Sequence, residues 1–306
     1  MNRLFFLSLL LCLVHGTSRA DEASAVEAFK KAGFAMKMND GGHVVEIGVA
    51  AQVSMEKNSG LKPVEWTPEL LQRLSECPEL ARLHVIARQA GIQELEVFTK
   101  VPKLEALRLE KVNFDDTGFA TLAKCEKMQI LFITENDAVT GAGVSALRPL
   151  GGLKVLGFAD CRKFSADGVR ACAQLTQLEY LGFHHLDLGD DEMALLEPLA
   201  GSLKEFEVAS DFNGKMSESG LAHLTKLKNL ESLSFREAII PFAKTLKHLQ
   251  ALPKLKMVNL DDVDTDNAEA MKLVAALPNS KFKGTAASDE QVQLYNERRE
   301  AYLKSR

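Results

Sequence analysis

The sequence predicts an α/β solenoid, a stack of short strands each returned by a helix, and three observations predict it. The pattern apolar-x-x-apolar-x-apolar occurs eight times, beginning at Leu80, Leu104, Met128, Leu153, Leu178, Leu203, Leu230 and Leu255, with spacings of 24, 24, 25, 25, 25, 27 and 25 residues. A period of this length marks one supersecondary unit that buries its apolar side only against its neighbours. The intervening segments repeat as well: Phe114-Asp115-Asp116-Thr117-Gly118-Phe119, Val139-Thr140-Gly141-Ala142-Gly143-Val144, Phe164-Ser165-Ala166-Asp167-Gly168-Val169 and Met216-Ser217-Glu218-Ser219-Gly220-Leu221 each place a capping residue after an apolar anchor. Such a residue followed by apolar positions at helical spacing reads as a turn into a returning helix. Finally, 45 of the 306 residues are leucine against three tyrosines and one tryptophan, so one aliphatic shape is reused at fixed positions.

The first element, residues 1–20, reads as a removable leader. Arg3 supplies a positive start, Leu4 to Val14 is an apolar stretch of 11 residues, and Ser18-Arg19-Ala20 places small residues where a signal peptidase cuts. Eleven residues are too few to span a bilayer as a helix, which takes about 20. Leu11 before Cys12 disfavours a lipid anchor. Cleavage after Ala20 leaves 35 Lys and Arg against 42 Asp and Glu, a net charge of −7. An acidic, exported chain is a poor partner for nucleic acid, whose phosphates demand basic residues.

Residues 21–79 form an amino-terminal cap and an atypical first unit. Ala23 to Lys31 is expected to be helical, with Ala25, Val26 and Phe29 on its buried side and Gly33 as its stop. Val44 to Val49 follows as an edge strand. Thr67 as N-cap, Pro68 at the first helical position and a stripe of Leu70, Leu71 and Leu74 predict a short helix.

Residues 80–284 hold the eight units, each with its strand around the first, fourth and sixth pattern positions. Ile92-x-x-Leu95-x-Val97 also fits the strand pattern, but the 24-residue period assigns it to a helix. Lys281-Phe282 adds a last strand, and residues 285–306 form a terminal cap or tail in which Ser288 to Arg306 is a helix with Ser288 and Gln291 at capping-box spacing and Val292, Tyr295 and Tyr302 on one side.

The repeated motifs resemble the leucine-rich repeat family, in the longer-unit variety similar to ribonuclease inhibitor, and the opening resembles the cap of exported bacterial members. The resemblance implies a right-handed horseshoe with a parallel sheet on its concave side and helices on its convex side. It also implies that Asn136 and Cys161, eight positions after their unit starts, bond the turn backbone.

Sites of chemistry are scarce. No nucleophile elbow, phosphate-binding loop, HExxH or dinucleotide fingerprint is present, so no catalytic residue, metal ligand or cofactor is assigned. Asp262, Asp264 and Asp266 begin like a calcium loop, but Asn267 and Leu273 stand where such a loop needs Gly and Glu. Asp115, Asp116, Asp190 and Asp191 fall at helix starts, where negative charge is favourable without catalysis. His184 and His185 point to opposite sides of a strand, as a solvated surface pair. Cys77, Cys125, Cys161 and Cys172 are expected to be buried thiols, since Cys77 and Cys125 lie two strands apart, roughly 10 Å, beyond disulfide reach.

What remains is the sheet face turned away from the core. Alternation places His84, Arg108, Phe132, Gly157, Gly182 and Glu207 in its central column, Arg82, Ile130, Val155 and Tyr180 in one flank, and Glu110, Ala159, His184 and Arg236 in the other. Ile130, Phe132, Val155 and Tyr180 form an apolar patch over a floor of small residues, the composition of a contact site. The expected function is an exported scaffold that binds a protein partner there, with Phe132 and Tyr180 as anchors and Arg108, His184, Glu207 and Arg236 around them. The alternative is a binder of envelope carbohydrate.

Overall fold

The computed structural model describes residues 19–48, 64–238, 242–263, 272 and 275–305, so most of the expected leader and residues 264–269 of the acidic Asp262–Glu269 segment lie outside the described residues. Eleven strands form one open sheet in which spatial order follows chain order: β1 (Ala35–Met38), β2 (Val44–Gly48), β3 (Arg82–Ile86), β4 (Ala106–Glu110), β5 (Ile130–Thr134), β6 (Val155–Ala159), β7 (Tyr180–His184), β8 (Glu205–Ala209), β9 (Ser232–Arg236), β10 (Met257–Val263) and β11 (Lys281–Ala286). Each strand of the eight units begins two residues after its predicted start. All neighbours pair in parallel except β1 and β2. The expected edge strand β2 is therefore an inner one. The chain folds back at Asn39–Gly42, and β1 becomes the edge.

Register is kept from unit to unit: Leu107 pairs with Leu131, Leu131 with Leu156, and Leu156 with Leu181. The period-two alternation of a strand then sends every second side chain into a common core. Leu131, Ile133, Leu156 and Leu181 are fully buried. Each such residue contributes roughly 1.5–3 kcal/mol on removal from water. A chain of ring contacts runs through this core from Phe114 by way of Phe119, Phe158, Phe164 and Phe183 to Phe206, with centroids 4.6 to 6.3 Å apart.

The strands end alike. Lys111, Glu135, Asp160, His185 and Glu237 each follow a strand with a left-handed φ between 51° and 61°. The amide of each still donates to the next strand, as Glu135 N to Ala159 O at 2.9 Å and Asp160 N to His184 O at 3.0 Å. The ladder thus gains one rung before the chain turns off the sheet, which offsets the cost of a left-handed non-glycine backbone.

The returns pack side by side against the core face of the sheet, but they are shorter than expected. They are α-helical at α2 (Pro68–Gln72), α3 (Gly118–Leu122), α4 (Ala166–Ala173), α5 (Asp190–Ala194), α6 (Glu218–Leu224) and α7 (Phe242–Gln250), and 3-10 at Ile92–Lys100, Ala142–Leu147 and Glu197–Gly201. A 3-10 turn rises about 2.0 Å per residue against about 1.5 Å for an α-helix, so it covers a fixed return path with fewer residues. Thr67 caps α2 as expected, its Oγ1 accepting from Leu70 N at 3.3 Å, and Leu71 and Leu74 are fully buried while Leu70 is half-buried.

Two helix-start aspartates act between units. Asp190 accepts from Ser217 N at 2.7 Å and Gly220 N at 2.9 Å, which caps the following return, α6. Asp116 does the same for the next unit by accepting from Gly141 N at 2.9 Å and from the Thr140 hydroxyl. Asn136 bonds the turn backbone as anticipated, donating to Val112 O at 2.7 Å and accepting from Ala138 N at 3.0 Å. In the 27-residue unit Asn213 takes that role, donating to Leu188 O at 2.8 Å. All four described cysteines are buried and unpaired. Burial pushes the Cys77 and Cys125 thiols up to about 12 and that of Cys161 to about 11.

At the amino terminus, α1 (Arg19–Ala32) ends where Gly33 turns left-handed and Phe34 N donates back to Phe29 O at 3.0 Å. Glu22 is buried in its first turn, accepting from Val44 N at 2.9 Å and meeting His43 Nδ1 at 2.6 Å, so it ties the helix to β2. The single tryptophan, Trp66, packs on Phe29 and Phe34 and donates from Nε1 to His84 O at 3.0 Å. At the other end α8 (Asp289–Ser305) has the expected Ser288–Gln291 capping box. It neither extends the stack nor frays: it folds back onto the loop after β8. Tyr295 is buried and donates to Met216 O at 2.7 Å, while Arg298 and Arg299 donate to Asp211 O at 2.6 Å and Gly214 O at 3.0 Å.

Candidate functional site

The helical returns cover one face of the sheet and leave the other open. On that open face the register aligns Arg82, Ala106, Ile130, Val155, Tyr180 and Glu205 in a first column, and His84, Arg108, Phe132, Gly157, Gly182 and Glu207 in a second. A third column holds Glu110, Thr134, Ala159, His184, Ala209 and Arg236. The eight expected contact residues are brought together there, across β4 to β9.

The aromatic pair does not stand up from a bare floor. Phe132 lies over Gly157, where an added Cβ would come within 2.5 Å of the ring. Tyr180 lies over Gly182, where an added Cβ would be 2.9 Å from the phenol oxygen. The two rings meet edge to face at 6.1 Å. The glycines are thus the seats of the aromatics, and together they make a half-buried apolar platform flanked by Ile130 and Val155. Preferred edge-to-face contact adds about 0.5–1.5 kcal/mol beyond burial.

Charged groups flank the platform as networks rather than as free rims. On the β8 side Arg236 Nη2 donates to His184 Nδ1 at 3.0 Å, and His184 Nε2 faces Glu207 Oε2 at 3.3 Å. An arginine can only donate, so Nδ1 accepts and the ring proton sits on Nε2, toward Glu207. The hydrogen bond from His184 holds the Glu207 carboxyl below its ordinary range despite burial. Burial, with Glu207 nearby, raises the Tyr180 phenol.

On the β3 side His84 Nε2 contacts Glu110 Oε2 at 3.3 Å, Arg108 lies 3.7 Å from the same oxygen, and Lys111 reaches Glu110 Oε1 at 3.2 Å. The His84 hydrogen bond is the chief reason the Glu110 carboxyl falls to about 2, with Lys111 assisting against burial. Between this network and Phe132 lies a groove of about 250 Å³ whose walls include Arg82, His84, Arg108 and Ile130.

Arg82, His84 and Glu110 lie on this face as expected but outside the expected contact residues; the pairing of His84 with Glu110 depends on register between strands. His184 and His185 are both at the surface as expected, 26% and 42% exposed, but each is tied to carboxylates rather than free. His184 belongs to the face network, and His185 sits in the left-handed turn between Asp160 at 3.2 Å and Glu237 at 3.4 Å. Its hydrogen bond to Glu237, with the charges of Glu237 and Asp160, raises its pKa to about 9.

Six buried side-chain atoms on the face lack a hydrogen-bond partner among the described residues: His84 Nδ1, Arg108 Nε, Ser234 Oγ, Arg236 Nε, Asn259 Oδ1 and Asp261 Oδ1. The only other such atom described is Ser202 Oγ, so the buried unmet polar atoms cluster beneath the open face. A buried polar group left unpaired costs about 1–3 kcal/mol. Among the described residues no three His, Cys, Asp or Glu side chains are grouped to hold a metal ion, and no helix is long and apolar enough to cross a membrane. No family model matches the chain, and no curated protein matches it.

Proposed function

We propose that this is an exported protein of the leucine-rich repeat type whose open sheet face binds a polypeptide partner. The eight pattern units with their in-register strands, each succeeded by a capped return, support the repeat assignment and a right-handed horseshoe with the open face concave. The Arg3 to Ala20 leader pattern supports export to the periplasm or beyond. The observation that carries the binding reading is the platform of Phe132 and Tyr180 seated on Gly157 and Gly182. A half-buried aromatic pair at the centre of a face, flanked by the charged networks of Glu110 and Glu207, has the make-up of an interface hot spot. A binding role is favoured over catalysis because Glu110 and His185, whose pKa values are strongly displaced, are engaged in links between neighbouring strands.

The half-buried rings of Phe132 and Tyr180 favour a second reading, a carbohydrate ligand, since a sugar's apolar face stacks on exposed aromatic rings. The test is a displayed random-peptide library and a glycan array, each applied to the wild type and to the Phe132→Ala/Tyr180→Ala variant. Saturable peptide retention lost in the double variant is the expected result. Retention of glycans instead selects the second reading, and retention that survives the double variant places the site elsewhere.

A further inference from the structure

The first column of the open face carries an ordered charge pattern. Arg82 on β3 and Glu205 on β8 are both exposed, and neither side chain has a hydrogen bond or ion pair among the described residues. This is unusual for their surroundings. Glu46, the register partner of Arg82 on β2, is held by Lys37 at 2.9 Å, and beside Glu205 the side chains of Lys204 and Glu179 pair at 2.6 Å. Between the two unpaired charges the column is Ala106, Ile130, Val155 and Tyr180, all half-buried. The Arg82 end opens into the 250 Å³ groove. There His84, only 7% exposed, leaves Nδ1 without a partner, and Arg108 leaves Nε without one.

We propose that the face holds an extended polypeptide segment running across the strands, with a carboxylate at Arg82, apolar side chains over Ile130, Val155 and Tyr180, and a cation at Glu205. The proposal rests on the polypeptide-binding reading above and adds the chemistry of the partner. Five inter-strand steps of about 4.8 Å separate the two charges, roughly 24 Å in all. An extended chain advances about 3.4 Å per residue, so the first and seventh residues of a segment lie about 20 Å apart, and the long side chains of Arg82 and Glu205 reach across the remaining ~4 Å. Its alternate side chains would face the sheet, so an acid, two apolar residues and a base at every second position fit the column. Opposite charges at the two ends steer and register the segment, and a segment with like charges at both ends would meet repulsion at one of them.

The experiment measures fluorescence-anisotropy affinities of three capped, labelled heptapeptides, with leucine at positions three and five and serine at two, four and six. One carries glutamate at position one and lysine at position seven, one glutamate at both, one lysine at both. The wild type is expected to prefer the mixed peptide by roughly 2- to 10-fold, with the preference shrinking as salt rises. Arg82→Glu should shift the preference to the lysine-ended peptide, and Glu205→Arg to the glutamate-ended one. Binding of all three without charge preference overturns this proposal and leaves the polypeptide-binding reading standing. Absence of binding by any of them also overturns it, while the library experiment decides the broader reading separately.

Discussion

Phe132 on β5 occupies the space above Gly157 on β6, so the backbone of one strand is the seat of the neighbouring strand's ring. Gly157→Ala puts a methyl 2.5 Å from ring carbons and forces Phe132 to turn away. The ring is at the surface and can move, so unfolding free energy should change by no more than about 1–2 kcal/mol, at the low end of the overpacking range. Affinity for library-selected peptides should fall at least as far as in Phe132→Ala. Calorimetric unfolding and anisotropy check the two halves; an unchanged affinity would show that the seat is irrelevant to binding.

His185 gives stability a basic-side dependence. Its folded pKa of about 9 lies above the ordinary value of 6.5, so its contribution is complete below about pH 6.5 and is lost as pH rises through 9. The side chain is 42% exposed, so solvent screening reduces the effect to about 1 kcal/mol. Urea unfolding at pH 6 and pH 9.5 should show this loss in the wild type and not in His185→Gln.

Glu110 acts on the acid side with the opposite sign. Its folded pKa of about 2 lies below the ordinary 4.5, so its contribution is present above pH 4.5 and disappears as pH falls toward 2. Glu110→Gln should be less stable than wild type at pH 7 by about 1–3 kcal/mol, with the gap closing by pH 2.5. Acid unfolding curves of the two proteins would reveal it, and parallel curves would contradict the assignment.

Tyr295 and Met216 fasten the last helix. Tyr295→Phe leaves the buried Met216 carbonyl without its phenol donor, which costs about 1–3 kcal/mol locally. Hydrogen exchange in α8 and in the loop 211–216 should accelerate together while the strands β3 to β7 keep their protection. Acceleration confined to α8 would mean that the loop holds its own shape.

Much of the fold was legible because a strand has a period of two and a stack has one repeat length. Leu80 to Leu255 announced their strands by position, and the same alternation put Ile130, Phe132, Val155 and Tyr180 on one face. The returns were less legible: Gly141 and Gly143 weaken helix propensity, and path length favoured a 3-10 turn over Ala142–Leu147. The networks escaped the sequence reading for another reason. His84 and Glu110 are 26 residues apart, and Arg236 and His184 are 52 apart, so only register makes them neighbours.

The sequence by itself determined the unit, its boundaries, its buried positions and which side chains share the open face, since these follow from local periodicity and the burial of apolar groups. Only the tertiary structure decided that Phe132 lies down on Gly157, that Arg82 and Glu205 stay unpaired while their neighbours pair, and that α8 returns to the loop after β8. Those outcomes depend on rotamers, competing partners and long-range docking, and none of these is encoded in the spacing of residues along the chain.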